Sequence, residues 1–585
     1  MSRRELIDVA LGKAGPDMVI KGGKIVDVCT KEIYKADILI KNDRIAYVGQ
    51  SNAEGSHSKV LDAKGKYVTP GLIETHLHSY ETHLNMVEFA KALLSRGTTA
   101  TPEAFYGMGV VSGMKGIKFC MEELKRTPLR VLFLVPVLAY LQNRELGLPP
   151  QPNSINAHDL FEMLSWPECL GLEEPPPLPI LEKDPLMLDL FEEALMKGKI
   201  IAGHACGFRD KEIAAYSLMG GASDHECTSA EEAVEKARLG LRISMREGSG
   251  ANDVHELAKA ITEYKIDSRR FLFCADIISP LKIKEEGHLD NNIRLAVSAG
   301  VHPLDAVQIA TINAAEFFRV DHEMGSIHPG KYADLLIVND LPSFVIDKVL
   351  VGGQLVVDGG KFLPKLKSSR YPEEVYHTVR LPKDLNLEDL GVKANGTIAK
   401  VRIIGVKDGT LLSDERFAEL PVKNGLVQPD VEKDVIKIVM IDRYTGTKRI
   451  GKAFVQGYNL RGGAIGSTYN PLAQNIVIVG TNDEDIRVAA NEITKAGGGF
   501  IAVRNGKKVA MLELPLFGLL SDQMFDDTVE RLRELHAVVR EMGCTLSEPF
   551  YTLAFSCVAG EIGKLKICDQ GLFDVELARL VDVVL

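Results

Sequence analysis

Residues 70 to 85, PGLIETHLHSYETHLN, set His76 and His78 two positions apart behind a Pro-Gly turn and the apolar pair Leu72-Ile73. Side chains alternate along an extended chain, so both imidazoles face the same way. Paired imidazoles can ligate a metal ion. Two histidines at this spacing also decorate ordinary strands, and the pair alone leaves both readings open.

The same arrangement, a polar side chain just beyond a short apolar run, recurs downstream. Glu174 follows CLGLE, His204 follows KIIAG, Asp276 follows FLFCA, and His225 lies in GGASDHECT behind Gly220-Gly221. Each has an ordinary reading when taken singly. His204 fits a hydrogen-bonded surface residue, Asp276 a helix N-cap, and Glu173-Glu174 a solvated loop before PPPLP. Together, four histidines and two carboxylates at separate strand exits can converge on one divalent ion, or on two ions bridged by a carboxylate.

Such convergence needs a scaffold that brings distant strand ends together. From about residue 70 to 330, brief apolar runs alternate with helical patterns such as HELAKAITEYK and DNNIRLAVSAG. That alternation predicts a parallel β/α barrel, whose sites gather at the C-terminal ends of its strands. Residues 17 to 50 read as short strands broken by Gly-Gly and Asn-Asp turns, and the texture returns at 334 to 362, so both flanks are expected to share one small sheet. Beyond a polar stretch, residues 399 to 585 mix strands with amphipathic helices and read as an α/β unit of their own.

Composition narrows the partners. Sixty-nine basic against 80 acidic residues give a formal charge of -11, which argues against nucleic acid. Nine scattered cysteines without CxxC spacing fit reduced thiols and a cytoplasmic location better than a disulfide framework. The N-terminus MSRRELIDVALGKAGPD has no apolar signal core. The apolar run VLFLVPVLAYL is well short of the roughly 20 residues of a membrane span.

PGLIETHLH, the spaced His204 and His225, and ADI around Asp276 resemble the amidohydrolase superfamily. GHACGFRDKEIAAYSLMGGASDHECTSAEEAVEKARLGLRISMREGS, GSIHPGKYADLLIV and, near the C-terminus, IGKAFVQGYNLRGGAIGSTYN closely resemble the adenine deaminase family. The resemblance spans nearly the whole chain. It implies a TIM-like (β/α)8 metal-dependent hydrolase barrel at 69–330, a small β-sandwich domain from 1–68 plus 331–375, a linker at 376–398 and a C-terminal α/β domain at 399–585 that lies over the barrel mouth.

Carried over residue by residue, the resemblance makes His76 and His78 ligands of one metal, His204 and His225 ligands of the other, Glu174 the bridging carboxylate and Asp276 the last-strand ligand and base. Glu81 and Glu247 join Asp276 in the catalytic set, and Tyr80, Glu103 and Arg246 form the substrate-binding set. The implied cofactor is one or two manganese, iron or zinc ions, and the implied assembly a homodimer. The implied reaction is hydrolysis of adenine to hypoxanthine and ammonia. Ring opening of another heterocycle and an inactive regulatory homologue are the alternatives.

The chain also departs from the family pattern. Tyr80 stands where the family motif His-x-His-Ile-Glu-Ser-Ser has Glu, with Glu81 one place along; Ala104 to Gly107 replace Asp-Pro-His-Glu; Ile277 replaces an acidic residue; Asn470 to Asn475 replace Ala-His-Asp-Ser-His-Asn. A phenol is a weaker acid than a carboxyl, and on a continuing strand Glu81 would face away from Tyr80. On those grounds adenine is expected to be a poor substrate.

Overall fold

The computed structural model describes residues 3–51, 58–368, 370–560 and 562–585. Both flanks of the central region meet in one nine-stranded sheet. Tyr67–Pro70 pairs parallel with Met18–Asp27 and antiparallel with Leu335–Val338, so chain segments far apart in sequence lie side by side. The alternating apolar residues of these strands, among them Ile25, Ile38, Val68 and Ile337, bury into a core of their own. Met18–Asp27 bulges at Gly22, whose φ of +68° is a left-handed conformation that glycine adopts without strain.

Eight short strands follow in the barrel region. Leu72–Ile73, Thr98–Glu103, Arg130–Pro136, Cys169–Glu173 and Ile200–Ala202 form a parallel five-stranded arc; Ser223–Asp224, Arg242–Arg246 and Phe271–Cys274 form a parallel three-stranded arc. Single parallel bridges join the arcs on both sides, Ile201 to Gly221 and Leu77 to Asp276. Strands this short leave their register to packing. Leu72, Leu134, Leu172, Ile201, Ile243 and Phe273 are all buried, each worth about 1.5 to 3 kcal/mol against exposure. Among the described residues no helix is long and apolar enough to cross a membrane, and all nine cysteines are free thiols.

The C-terminal region builds a second nine-stranded sheet, from Ile398–Gly405 through Lys507–Glu513, with the helices Asp483–Lys495 and Phe525–Glu541 packed on it. Val379 and Leu390, in the polar stretch read as a linker, are buried in this unit's core beside Ile441 and Ile478. The unit is seated on the barrel. His83 O accepts from Ser521 N at 2.8 Å, His83 Nδ1 lies 3.1 Å from Leu519 O, and the Asn85 amide donates to Ser521 O at 3.2 Å. Asn85 also caps the helix Met86–Ser95 by accepting from Glu88 N. The chain just beyond His78 is therefore held from both sides.

Candidate metal centre

Four imidazoles surround one carboxylate at the C-terminal ends of the strands. Glu174 Oε1 lies 3.2 Å from His76 Nε2, 3.2 Å from His225 Nε2 and 3.5 Å from His204 Nδ1, while its Oε2 lies 3.2 Å from His78 Nε2. Asp276 Oδ1 faces His76 Nε2 at 3.3 Å and His78 Nε2 at 3.7 Å. The structure thus brings together His76, His78, Glu174, His204, His225 and Asp276. Both carboxylates take up left-handed backbone, Glu174 at φ 48° and Asp276 at φ 56°. Non-glycine residues are uncommon there, and such conformations concentrate at functional sites.

Supporting groups set these side chains in place. The buried Glu74 carboxylate accepts from the backbone N–H groups of Thr75, His76 and Ala275, which ties the first strand exit to the last. Its other neighbour is His288, with Nε2 at 3.1 Å. Glu173 Oε1 lies 3.5 Å from His78 Nδ1. Arg246 Nη1 donates to Asp276 Oδ2 at 2.9 Å and to Glu226 Oε1 at 2.5 Å, and Glu226 Oε1 in turn lies 3.3 Å from His225 Nε2.

The electrostatics are those of a site built around positive charge. Burial alone favours a neutral ring at His76, yet the Glu174 and Asp276 carboxylates outweigh it and push His76 up to about 10. His78 is raised for the same reason, by Glu174 and Glu173. Burial would raise Glu174, but His76 and His78 hold it well below the usual carboxylate range. Arranged in this way, protons on the rings occupy places that a divalent cation would take. The donors fit such an ion: ligand atoms of His76, Glu174, His225 and Asp276 all lie within 4.8 Å of one another, and those of His204, His225 and Glu226 form a second such group. His76 Nε2 and His78 Nδ1 are buried without a hydrogen-bond partner, which marks groups that need one. Imidazole and carboxylate together suit zinc, iron or manganese.

A cavity opens over this cluster. Its barrel side carries Tyr80, Glu81, Tyr106, Phe208 and Ile277, and its roof is Leu411, Pro471, Leu472, Phe555 and Ala559 of the C-terminal unit. Glu81 lies on this cavity, which corrects the expectation that it faces away. The strand ends before it: Ser79–Thr82 is a single 3₁₀ turn, so alternation no longer applies. Glu81 Oε1 accepts from the Tyr469 hydroxyl at 2.8 Å, and Oε2 is buried without a hydrogen-bond partner. Burial pushes the Glu81 carboxyl up to about 7, against the lowering pull of His78.

Tyr80 lines the cavity with its ring 5.6 Å from that of Tyr106. The departures at positions 80 and 107 are sterically linked. A Cβ on Gly107 would lie 2.7 Å from the Tyr80 ring, so the glycine makes room for the tyrosine.

Two expected site residues, Glu247 and Glu103, take other places, and a third, Arg246, is at the cavity in another role. Glu247 lines a separate cleft, where its carboxylate faces Lys282 Nζ at 3.3 Å, because the chain leaves the strand after Arg246 and turns through Gly248. Glu103 is an internal brace: its two oxygens accept from Ser79 N at 2.9 Å and Phe105 N at 2.7 Å. Arg246 reaches the cavity, but Nη1 is engaged by Glu226 and Asp276, so it holds carboxylates instead of presenting that donor to a substrate. Glu226, Tyr106 and Tyr469 were not anticipated. Glu226 directly follows His225 and carries a readable signal; Tyr469 comes from a segment nearly four hundred positions away.

The amidohydrolase family model matches residues 67–356, and the adenine deaminase C-terminal domain model matches residues 410–579. Adenine deaminase of Moorella thermoacetica is 36% identical over 586 residues, covering 99% of this chain and 98% of that protein. Adenine deaminase 1 of Carboxydothermus hydrogenoformans is 35% identical over 596 residues, again covering 99% and 98%. Adenine deaminase of Mesorhizobium japonicum is 34% identical, covering 99% and 96%. Among solved structures, β-aspartyl dipeptidase from Fervidobacterium islandicum AW-1 superposes with a TM-score of 0.46 at 15% identity, over 59% of this chain and 98% of that one.

Proposed function

The chain belongs to the adenine deaminase family of the amidohydrolases, and from that membership we propose that it hydrolyses adenine to hypoxanthine and ammonia with the help of a divalent metal. The observation that carries the reading is the position of Glu81. An acid is available beside the cluster: Glu81 lines the cavity, with Oε1 pinned by the Tyr469 hydroxyl and Oε2 buried without a hydrogen-bond partner. The departure at Tyr80 therefore does not remove the carboxyl; it moves it one residue along the chain.

His76, His78, His204 and His225, together with the Glu174 and Asp276 carboxylates, would hold one or two ions. Manganese, iron or zinc suits this donor set. Bound there, a divalent ion lowers the pKa of water from 15.7 toward about 7 and so supplies a nucleophile at neutral pH. Asp276, kept as a carboxylate by His76 and the Arg246 guanidinium, takes the proton released from water. Glu81 gives its proton to the ring nitrogen as the water oxygen bonds to the adjacent carbon, and the pair of the carbon–nitrogen double bond moves onto that nitrogen. The exocyclic carbon–nitrogen bond then breaks, and Asp276 passes its proton to the departing amine. The hydroxyl proton left on carbon's new oxygen restores Glu81 as the carbonyl forms. Each water proton is thus accounted for, one in ammonia and one on Glu81.

The cavity walls fit a flat heterocycle. Tyr80, Tyr106 and Phe555 supply aromatic surface, and Pro471 and Leu472 add apolar wall from the C-terminal unit. Incubating metal-loaded protein with purines, pterins and hydantoins, and following ammonia together with product mass, tests the proposal. Ammonia and hypoxanthine from adenine are expected. Ring-opened product without ammonia, or metal without turnover of any ring, would overturn it.

A further inference from the structure

Tyr469 belongs to the C-terminal unit, and its hydroxyl reaches 388 positions back along the chain to donate to Glu81 Oε1 at 2.8 Å. The phenol is fully buried. Its backbone is pinned on both sides of one residue, with Tyr469 N donating to Ser467 Oγ at 2.8 Å and Ser467 Oγ donating to Tyr469 O at 2.8 Å. Its ring meets those of His83 and Tyr551 edge-on, at 5.1 and 5.7 Å. Tyr551 in turn donates to the Glu81 carbonyl at 2.6 Å. Two phenols of one unit therefore hold a single glutamate of the other, one by its carboxyl and one by its backbone.

The consequence is chemical as well as mechanical. Of the two oxygens of a protonated carboxyl, one carries the O–H and the other only accepts. A phenol that donates to Oε1 makes Oε1 the acceptor and leaves Oε2, the oxygen without a hydrogen-bond partner, to carry the proton. Resting on the hydrolytic reading above, we propose that Tyr469 is a positioning residue that directs the Glu81 proton onto Oε2, toward the ring nitrogen of the bound heterocycle. The C-terminal unit thereby acts on the reacting carboxyl as well as covering the cavity. A single 3₁₀ turn does not fix a side-chain torsion by itself, so without this donor the carboxyl can rotate and present either oxygen.

The test uses the full-length metal-loaded enzyme and the panel ring that it turns over fastest, with rates taken per bound metal so that unfolded chain does not count. Tyr469→Phe keeps the ring and removes only the donor. It is expected to lower kcat by about 10- to 100-fold, a part of the roughly 10²- to 10⁴-fold that general acid catalysis contributes, while KM and metal content stay within twofold of wild type. In a Glu81→Gln background the same change is expected to add less than twofold, because the two residues act through one proton. Tyr458→Phe, which removes another buried phenol of the same unit, bonded to Ser556 Oγ, is expected to keep wild-type kcat. Unchanged kcat in Tyr469→Phe, a full additive loss in the Glu81→Gln background, or an equal loss in Tyr458→Phe overturns the proposal. A panel in which another ring replaces adenine, with the Tyr469 effect intact, would overturn the deaminase reading and leave this one standing. No turnover of any ring overturns both.

Discussion

Arg246 and Asp276 are joined through Nη1 and Oδ2 at 2.9 Å, and the other Asp276 oxygen faces His76 at 3.3 Å. One end of the carboxylate is thus tied to a permanent cation while the other addresses the metal cluster. The same guanidinium bonds Glu226 and lies 3.5 Å from Asp253, so three carboxylates share it in the interior. Arg246→Met removes the guanidinium from all three, leaving Asp276 and Glu226 only their histidine neighbours. Breaking buried pairs in this way costs about 3 to 5 kcal/mol. The denaturant midpoint of the metal-loaded variant should fall accordingly, and Arg246→Lys should recover part of the loss. A midpoint equal to wild type in Arg246→Met would show that these ion pairs carry no stability.

The ligand assignment makes a prediction that separates metal from fold. His76→Ala and His204→Ala should each lose bound metal and turnover, while their circular dichroism spectra remain those of the wild type, because the barrel core of Leu72, Leu134, Leu172 and Phe273 does not depend on either ring. Metal content per chain after dialysis is the readout. Full metal in both variants would sink the assignment.

The metal cluster was legible in the sequence because its members lie within a few residues of the ends of short strands, and a barrel sends all strand exits to one end. Glu81 was expected among the catalytic residues, and only its orientation on a continuing strand was misjudged, for a local reason. Alternation holds only while the chain is extended, and here the strand stops at Ile73, with a 3₁₀ turn from Ser79 that swings Glu81 onto the cavity. Glu247, expected only from the family resemblance, lies beyond the end of Arg242–Arg246 and faces Lys282 in a separate cleft. Glu74 and Tyr469 were invisible for a different one. Their roles are hydrogen bonds to Ala275 N and to Glu81, across 201 and 388 positions, and no spacing rule reports partners that only the fold brings together. The two-flank sheet was readable because both of its halves are strand-like, whereas the burial of Val379 and Leu390 in a polar stretch required the packed unit.

Metal uptake should release protons. His76 is raised to about 10 and His78 is raised as well, so at pH 7 the metal-free protein carries protons on both rings, and an ion must displace them. Calorimetry in buffers of different ionisation enthalpy should report about two protons released per chain. The metal-free fold has a matching pH dependence. His76 has a folded value above its unfolded 6.5, so its contribution is full below 6.5 and is lost as pH rises toward 10. Glu174 has a folded value below 4.5, so its contribution is full above 4.5 and is lost as pH falls through its depressed value. Chelated protein should therefore draw most stability from this cluster between pH 4.5 and 6.5 and soften toward pH 10. Binding heats that do not change with buffer would refute the proton displacement.

The activity profile should expose Glu81 directly. Its carboxyl, raised by burial to about 7, is a donor only while protonated, so the fraction of competent enzyme declines as pH rises through that value. The kcat/KM for adenine should then fall on the alkaline side with a slope approaching tenfold per pH unit. Glu81→Gln keeps the size and the Tyr469 contact on Oε1 but cannot give up a proton in the same way. It should lower kcat/KM by about 10²- to 10⁴-fold and flatten the alkaline limb, because the titrating group is gone. Tyr80→Phe, which removes the neighbouring phenol, should leave that limb in place. Rates measured from pH 5 to 9 for the three proteins decide the matter: an alkaline limb that persists unchanged in Glu81→Gln would assign the proton to another group.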